Sequence, residues 1–191
     1  MPIHNFFFKY RSFTPMPIVF AIIFYSNISF LECMLGGIVI AVGEYIRINA
    51  VMYAGGETRT IKVGAPALCT AGPYARTRNP LYIGNMIIYS GVIMASGGPY
   101  MWNLLLISTL FFTIQYTLIV ILEESTLHDL FGQPYLDYQK NVPRLFPRLT
   151  SWKNDDNRTP SNFVKTLKTE RRTLQNLTFI ILVLLLKSQF L

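Results

Sequence analysis

The chain has 191 residues, 51% of them hydrophobic and only 14% charged, with a formal net charge of +7 and a mean hydropathy of +0.35. Soluble domains carry roughly 25% charged residues, so the composition points to lipid as the solvent. It argues against a nucleic-acid binder, whose basic residues would be interleaved through one soluble domain. Two cysteines, Cys33 and Cys69, and two histidines, His4 and His128, supply neither a disulfide framework nor a metal-ligand set.

In chain order, Phe6, Phe7 and Phe8 beside Lys9 and Arg11 read as an interfacial anchor, and the stretch around them lacks the order of a signal peptide. The first oily run is Met16–Tyr25, short against the ~20 residues a span needs, and predicts a tilted helix closing a tight hairpin. A second run covers residues 28–53 and embeds Glu32, Glu44 and Arg47. A third, residues 81–96, is broken by Gly97, Gly98 and Pro99. The fourth, residues 100–122, has full spanning length, with Glu123 and Glu124 read at its C-terminal end. A polar stretch follows to residue 173, in which 154–162 (NDDNRTPSN) reads as a linker and 165–172 as a basic helix face near anionic headgroups. A last oily run covers residues 174–186.

Charge placement orients these runs. In a five-span arrangement sixteen of the seventeen basic residues fall on one side, Arg47, Arg59, Lys62, Arg76 and Arg78 among them, and only Lys187 falls on the other. Basic residues are retained in the cytoplasm, so the N-terminus is expected inside and the extreme C-terminus outside. The expected fold is an all-α, multi-spanning membrane protein with about five transmembrane helices and a cytoplasmic lid in its C-terminal half. The division is residues 1–56 for the N-terminal membrane helices, 57–150 for the core, and 151–191 for a basic linker and a C-terminal hydrophobic helix.

The densest chemistry lies at GPYARTRNPLYIGN, residues 72–85. Asn79 is expected to cap a helix and Pro80 to occupy its first position, where a missing N–H costs nothing. The positive end of that helix, with Arg76 and Arg78 one turn before it, suits an anion or a polar ligand. Tyr82, Asn85 and Tyr89 recur at i, i+3 and i+7 and share one face, and polar groups at membrane depth face protein or a wet cavity. Glu123-Glu124 at a helix C-terminus would oppose the helix dipole, so a cationic partner is expected, Arg76, Arg78 or a ligand. In FGQPYLDYQKNVPRLFP, residues 131–147, Gly132 ends one helix, Pro134 starts a short one, and Pro143 and Pro147 fix a chain that folds back as a lid.

GPYARTRNPLYIGN, then the acidic pair, then FGQPYLDYQKNVPRLFP, together resemble the isoprenylcysteine carboxyl methyltransferase and phospholipid methyltransferase superfamily, over residues 44–149. The resemblance implies an integral membrane enzyme that uses S-adenosylmethionine on a lipophilic acceptor at the cytoplasmic face, with the bilayer as its surroundings and neither nucleic acid nor metal as partner. It places Ala67, Leu68, Cys69, Tyr74, Asn79, Pro80, Leu81, Tyr82 and Glu123 around the cofactor. Arg78 and Glu124 are the candidate catalytic residues, Glu124 as a base toward an amine acceptor. Asn79 stands where the eukaryotic carboxyl methyltransferases carry His, and Ile119 where they carry a substrate-associated Arg. The implied reaction is carboxyl methylation of an isoprenylcysteine-like acceptor. The alternatives are N-methylation of a phospholipid amine and an NADPH-dependent reductase like the sterol reductases. The last oily run lies beyond the matched stretch and is expected to be dispensable for cofactor binding.

Overall fold

The computed structural model describes residues 3–55 and 64–190. Arg59, Lys62 and the expected division at residues 56 and 57 therefore lie outside the described residues. Seven α-helices are present among the described residues: α1 (Ile3–Tyr10), α2 (Met16–Tyr25), α3 (Phe30–Ala54), α4 (Pro80–Ser96), α5 (Met101–Phe131), α6 (Gln133–Asn141) and α7 (Phe163–Phe190), with a 3₁₀ turn at Gly72–Ala75. The extended pairing among these residues is one bridge between Asn27 and Gly97. By length and composition α5 is the helix long and apolar enough to cross a bilayer, and α2 and α4 are shorter apolar helices.

Helices α3 and α4 form the tightest pair, and glycine spacing is the reason. Gly36 and Gly43 on α3 face Gly91 and Gly84 on α4. A Cβ on Gly36 would lie 2.3 Å from the Ala95 amide nitrogen, and one on Gly91 2.9 Å from the Gly36 carbonyl oxygen. Small residues let two backbones approach within van der Waals contact, which is how helices gain packing energy where lipid removes the hydrophobic drive. Ile18 and Ile22 (α2), Ile40 (α3), Ile88, Val92 and Ile93 (α4), Leu104 (α5) and Leu184 (α7) complete one apolar cluster.

The two ends of the bundle differ in chemistry. At one end the α2–α3 and α4–α5 turns press together. Asn27 N–H donates to the Ser96 carbonyl at 3.0 Å, and a Cβ on Gly98, which sits at φ 87°, would lie 2.3 Å from the Tyr25 carbonyl oxygen. Ser29 caps α3: its Oγ accepts from Glu32 N–H at 3.3 Å and donates to Glu32 Oε2 at 2.7 Å. Lys187, the single basic residue assigned to this end, donates from Nζ to the carbonyls of Ile23, Phe24 and Ser26 at 2.7–3.1 Å. A lysine capping the last carbonyls of α2 satisfies acceptors that the helix leaves open.

The opposite end carries the 64–79 loop, α6 and residues 142–162. Here α5 departs from expectation. It runs two turns past Glu123 and Glu124, to Phe131, where Gly132 at φ 56° stops it. The residues Ser125 to Leu130 contain no helix breaker, so the helix continues, and the acidic pair sits inside the helix rather than at its dipole end. Helix α6 begins with Pro134 at its second position, as the Gly132–Pro134 pattern predicts.

Candidate active site

Residues 142–152 lie back over the loop at 74–79 and are stitched to it by backbone groups. Arg78 N–H donates to Pro143 O at 2.9 Å, Arg148 N–H to Arg76 O at 2.9 Å, and Trp152 N–H to Ala75 O at 2.8 Å. Thr77 Oγ1 lies 3.2 Å from the carbonyl oxygens of Arg144 and Leu145. Beneath this stitching Tyr135, Tyr138 and Val142 are buried against Leu68, Leu127, Phe131 and Trp152, and the Tyr138 hydroxyl donates to Tyr74 O at 2.9 Å. The prolines at 143 and 147 hold an extended chain that has carbonyls to spare for these donors.

Glu124 is the node that joins α5 to this cover. Arg78 donates to its Oε1 through Nε at 3.0 Å and Nη2 at 2.8 Å. Arg144 donates to its Oε2 through Nη2 at 2.5 Å and to Oε1 through Nε at 3.2 Å. Arg78 Nη1 also donates to the carbonyls of Gln139 and Val142 at 3.0 and 2.6 Å. The carboxylate is buried and both of its oxygens are taken. The cationic partner expected of the acidic pair is thus Arg78, joined by Arg144, which sequence reasoning left out of the site. Arg78 and Glu124, the expected catalytic pair, hold each other.

Glu123 points elsewhere. Its Oε1 accepts from the Tyr82 hydroxyl at 2.8 Å, so the two motifs, 41 residues apart, meet in one contact. Tyr82 stacks on Tyr116 with ring centroids 4.5 Å apart, Tyr116 on Phe112 at 5.4 Å, and Tyr89 packs on Phe112 at 4.4 Å. Phe8 of α1 closes this cluster, and the Arg11 guanidinium lies over the Phe8 ring at 4.3 Å. The phenylalanine run of α1 therefore divides: Phe8 packs into the bundle while Phe6 stays exposed. Tyr74, in the 3₁₀ turn, sits in a setting where burial, then the neighbouring Cys69 and Glu123, push its phenol well above the ordinary range. Burial likewise raises the Cys69 thiol, outweighing Arg158.

The remaining predicted residues are distributed unevenly. Pro80 is buried and Leu81 half-buried at the start of α4, beside Tyr82. Asn79 stands at the helix start but its side chain makes no cap there; its Nδ2 donates instead to Arg144 O at 3.0 Å. The cover offers a carbonyl within reach, and the first-turn N–H groups of α4 are left without a side-chain acceptor. Ala67 is exposed, and Leu68 packs on the α6 tyrosines. Arg47, counted above among the cytoplasmic charges, is buried inside the bundle against Asn85 of α4 and Glu170 of α7. A lone arginine in an oily run is itself a signal of a buried partner.

The stretch 154–162 is docked rather than free. Asp156 Oδ2 accepts from Thr70 N–H at 2.8 Å, Asn154 Nδ2 donates to Thr70 O at 3.1 Å, and Ser161 N–H donates to Met52 O at 2.8 Å. Between this stretch and the loop lies a cavity of about 400 Å³ bordered by Tyr53, Gly72, Trp152, Asn154, Asp156 and Arg158. Burial alone would raise the Asp156 carboxyl. The amides of Thr70 and Arg158 and then the Arg158 guanidinium outweigh it and hold the carboxyl below its ordinary value. A depressed folded value means stability present above the ordinary carboxylate range of about 3.9 and lost as pH falls through the folded value. Acidification below about pH 4 is therefore expected to release this stretch, read as a change in Trp152 fluorescence. In Asp156→Asn that step should vanish; a variant that retains it removes Asp156 from the latch.

The family model described as phospholipid methyltransferase matches residues 31–134. A nickel-cobalt-cadmium resistance protein, NccN, of Alcaligenes xylosoxydans xylosoxydans is 29% identical over 122 residues, which is 64% of this chain and 51% of that protein. Among solved structures, a eukaryotic intramembrane Ras methyltransferase, isoprenylcysteine carboxyl methyltransferase, is similar with a TM-score of 0.51 and 29% identity, covering 64% of this chain and 44% of that one. The chain thus spans about half the length of the curated relative it matches.

Proposed function

This chain belongs to the phospholipid methyltransferase family, and from that membership we propose that it is an integral membrane, S-adenosylmethionine-dependent methyltransferase acting on a lipophilic acceptor at the cytoplasmic face. The observation that carries this reading is the Tyr82–Glu123 contact at 2.8 Å, which brings the two separated motifs to one place beside the uncapped start of α4. A five-span topology, made of α2, α3, α4, α5 and α7, agrees with the chemistry of the two ends: Lys187 is the basic side chain at the turn end, and the arginines of the cover lie at the other.

The residues fit the cofactor. S-adenosylmethionine supplies a methyl group activated on a sulfonium. Glu123 is the carboxylate for its ammonium. The first-turn N–H groups of α4 would hold its carboxylate, a role better suited to them than to Arg78, whose donors are committed to Glu124 and to carbonyls. Tyrosine faces at 74 and 82 suit a cation. Residues 133–152 act as the lid that excludes water. We assign Arg78 and Glu124 to holding that lid in place.

A carboxylate acceptor is a nucleophile at neutral pH and needs no base; with Glu124 held by two guanidiniums, alignment and water exclusion supply the rate. An isoprenylcysteine-like carboxylate is therefore the first acceptor to test. The family's description favours a second, a phospholipid amine. Label from methyl-labelled cofactor that is released by base marks an ester, and stable label marks an N-methyl product.

Calorimetry in detergent tests the reading directly. S-adenosylhomocysteine should bind, NADPH should not, and Glu123→Gln should weaken the homocysteine analogue by about 1–3 kcal/mol, the scale of a lost charged hydrogen bond. Equal affinity in that variant takes Glu123 out of the site, and binding of NADPH alone favours a reductase.

A further inference from the structure

Arg47 occupies a position that the candidate site does not by itself require. Its stem crosses α4 at Gly84, where a Cβ would lie 2.7 Å from Arg47 Cγ, so the absence of a side chain there makes room for the arginine. Beyond the crossing its Nη1 donates to Asn85 Oδ1 and its Nη2 to Glu170 Oε2 of α7. Arg47 is 9% exposed and Glu170 0%. Apolar residues would fasten α7 as well or better, because a buried ion pair repays its desolvation only with good geometry. What an apolar contact does not do is aim a neighbouring amide.

The amide in question is Asn85, between Tyr82 and Tyr89 on the stripe. Held by its oxygen on the arginine, Asn85 lies one turn along α4 from Tyr82, on the same face of the helix. Tyr116 stacks on Tyr82, and Tyr82 donates to Glu123. One set of contacts thus runs from Glu170 through Arg47 to Asn85 and a second from Tyr116 through Tyr82 to Glu123, and Asn85 and Tyr82 are neighbours on one face of α4. Glu44, one turn before Arg47, shows why Glu170 matters to it. Glu44 is nine-tenths buried and neither of its oxygens has a hydrogen-bond partner among the described residues. It is a competing anion for the same guanidinium.

We propose that Glu170, on a helix outside the stretch matched to the family, is a positioning residue for the cofactor pocket: it holds Arg47 on Asn85 and away from Glu44, so that α7 completes the site. This rests on the methyltransferase reading. When Glu170 loses its charge, Arg47 is drawn to Glu44, and Asn85 loses its orientation beside Tyr82. Glu170 precedes the hydrophobic run at residues 174–186, so this role belongs to the polar first turns of α7 and leaves the expected dispensability of that run untouched.

The test compares Glu170→Gln with Leu184→Ala, which loosens the far end of α7 without touching Arg47. S-adenosylhomocysteine binding is measured by calorimetry on the full chain in detergent, and thermal melting is measured alongside. Both variants should melt lower, but only Glu170→Gln should bind more weakly, by about tenfold, with Leu184→Ala within about twofold of the unmodified chain. If Glu170→Gln does not fold, Glu170→Asp, which draws the carboxylate back by one methylene, takes its place with the same expectation. Unchanged binding in the Glu170 variant, or equal weakening in both, overturns the proposal. No binding by the unmodified chain removes the methyltransferase reading and this proposal with it.

Discussion

Gly36→Leu is expected to abolish the folded protein, read as loss of the monodisperse peak in detergent and of a cooperative melt. The first added atom would lie 2.3 Å from Ala95 N, 2.5 Å from Gly91 O and 2.6 Å from Ala95 Cα, all of them backbone. No rotamer change in a neighbour relieves such a clash; α3 and α4 must separate. Overpacking ordinarily costs about 1–3 kcal/mol, and a clash with backbone exceeds that range, against a total stability of roughly 5–15 kcal/mol. The adjacent Gly37 is the control. Nothing lies within 4 Å of a Cβ there, so Gly37→Ala should be neutral or stabilise by about 0.5–1 kcal/mol through backbone entropy. A Gly36→Leu protein that melts like the parent would disprove the close approach of the two helices.

Glu124→Ala should be the most damaging change among the charged residues. It removes the acceptor of four donor contacts and strands Arg78, whose side chain is 9% exposed. Breaking a buried pair by removing one partner costs about 3–5 kcal/mol. Arg144 is 39% exposed and turns to water, so the lower end, about 3 kcal/mol, is the expectation. The loss should appear first as protease cleavage within residues 142–152, before global melting. The contrast with Glu123 is sharp: Glu123→Gln should lose affinity at nearly parental stability, whereas Glu124→Ala loses stability first. Reversed phenotypes would exchange the roles assigned to the two glutamates.

The oily runs, the break at Gly97–Pro99 and the α5–α6 junction at Gly132 and Pro134 are legible in the sequence, because length, composition and helix breakers act locally. The start of α4 is legible for the same reason. That one helix carries through the acidic pair to that junction is not, since Ser125 to Leu130 neither interrupt a helix nor continue an apolar stripe. Partner choice is the larger gap. Nothing near Asn79 announces that its amide will serve Arg144 O, 65 residues away. The polarity of 154–162 marks turns, yet its docking depends on the Thr70 amide, 86 residues back. Arg47 carries a charge that fits either a cytoplasmic flank or a buried pair, and only Glu170, 123 residues later, decides between them.

The glycine crossing of α3 and α4 also sets the direction of traffic. Where two backbones touch, no hydrocarbon tail slips between them, so that flank is a wall. Under the methyltransferase reading an acceptor from the bilayer would have to part other helices, and on the α4–α5 side it would have to displace Phe8, which closes the cluster of Tyr82, Tyr89 and Phe112.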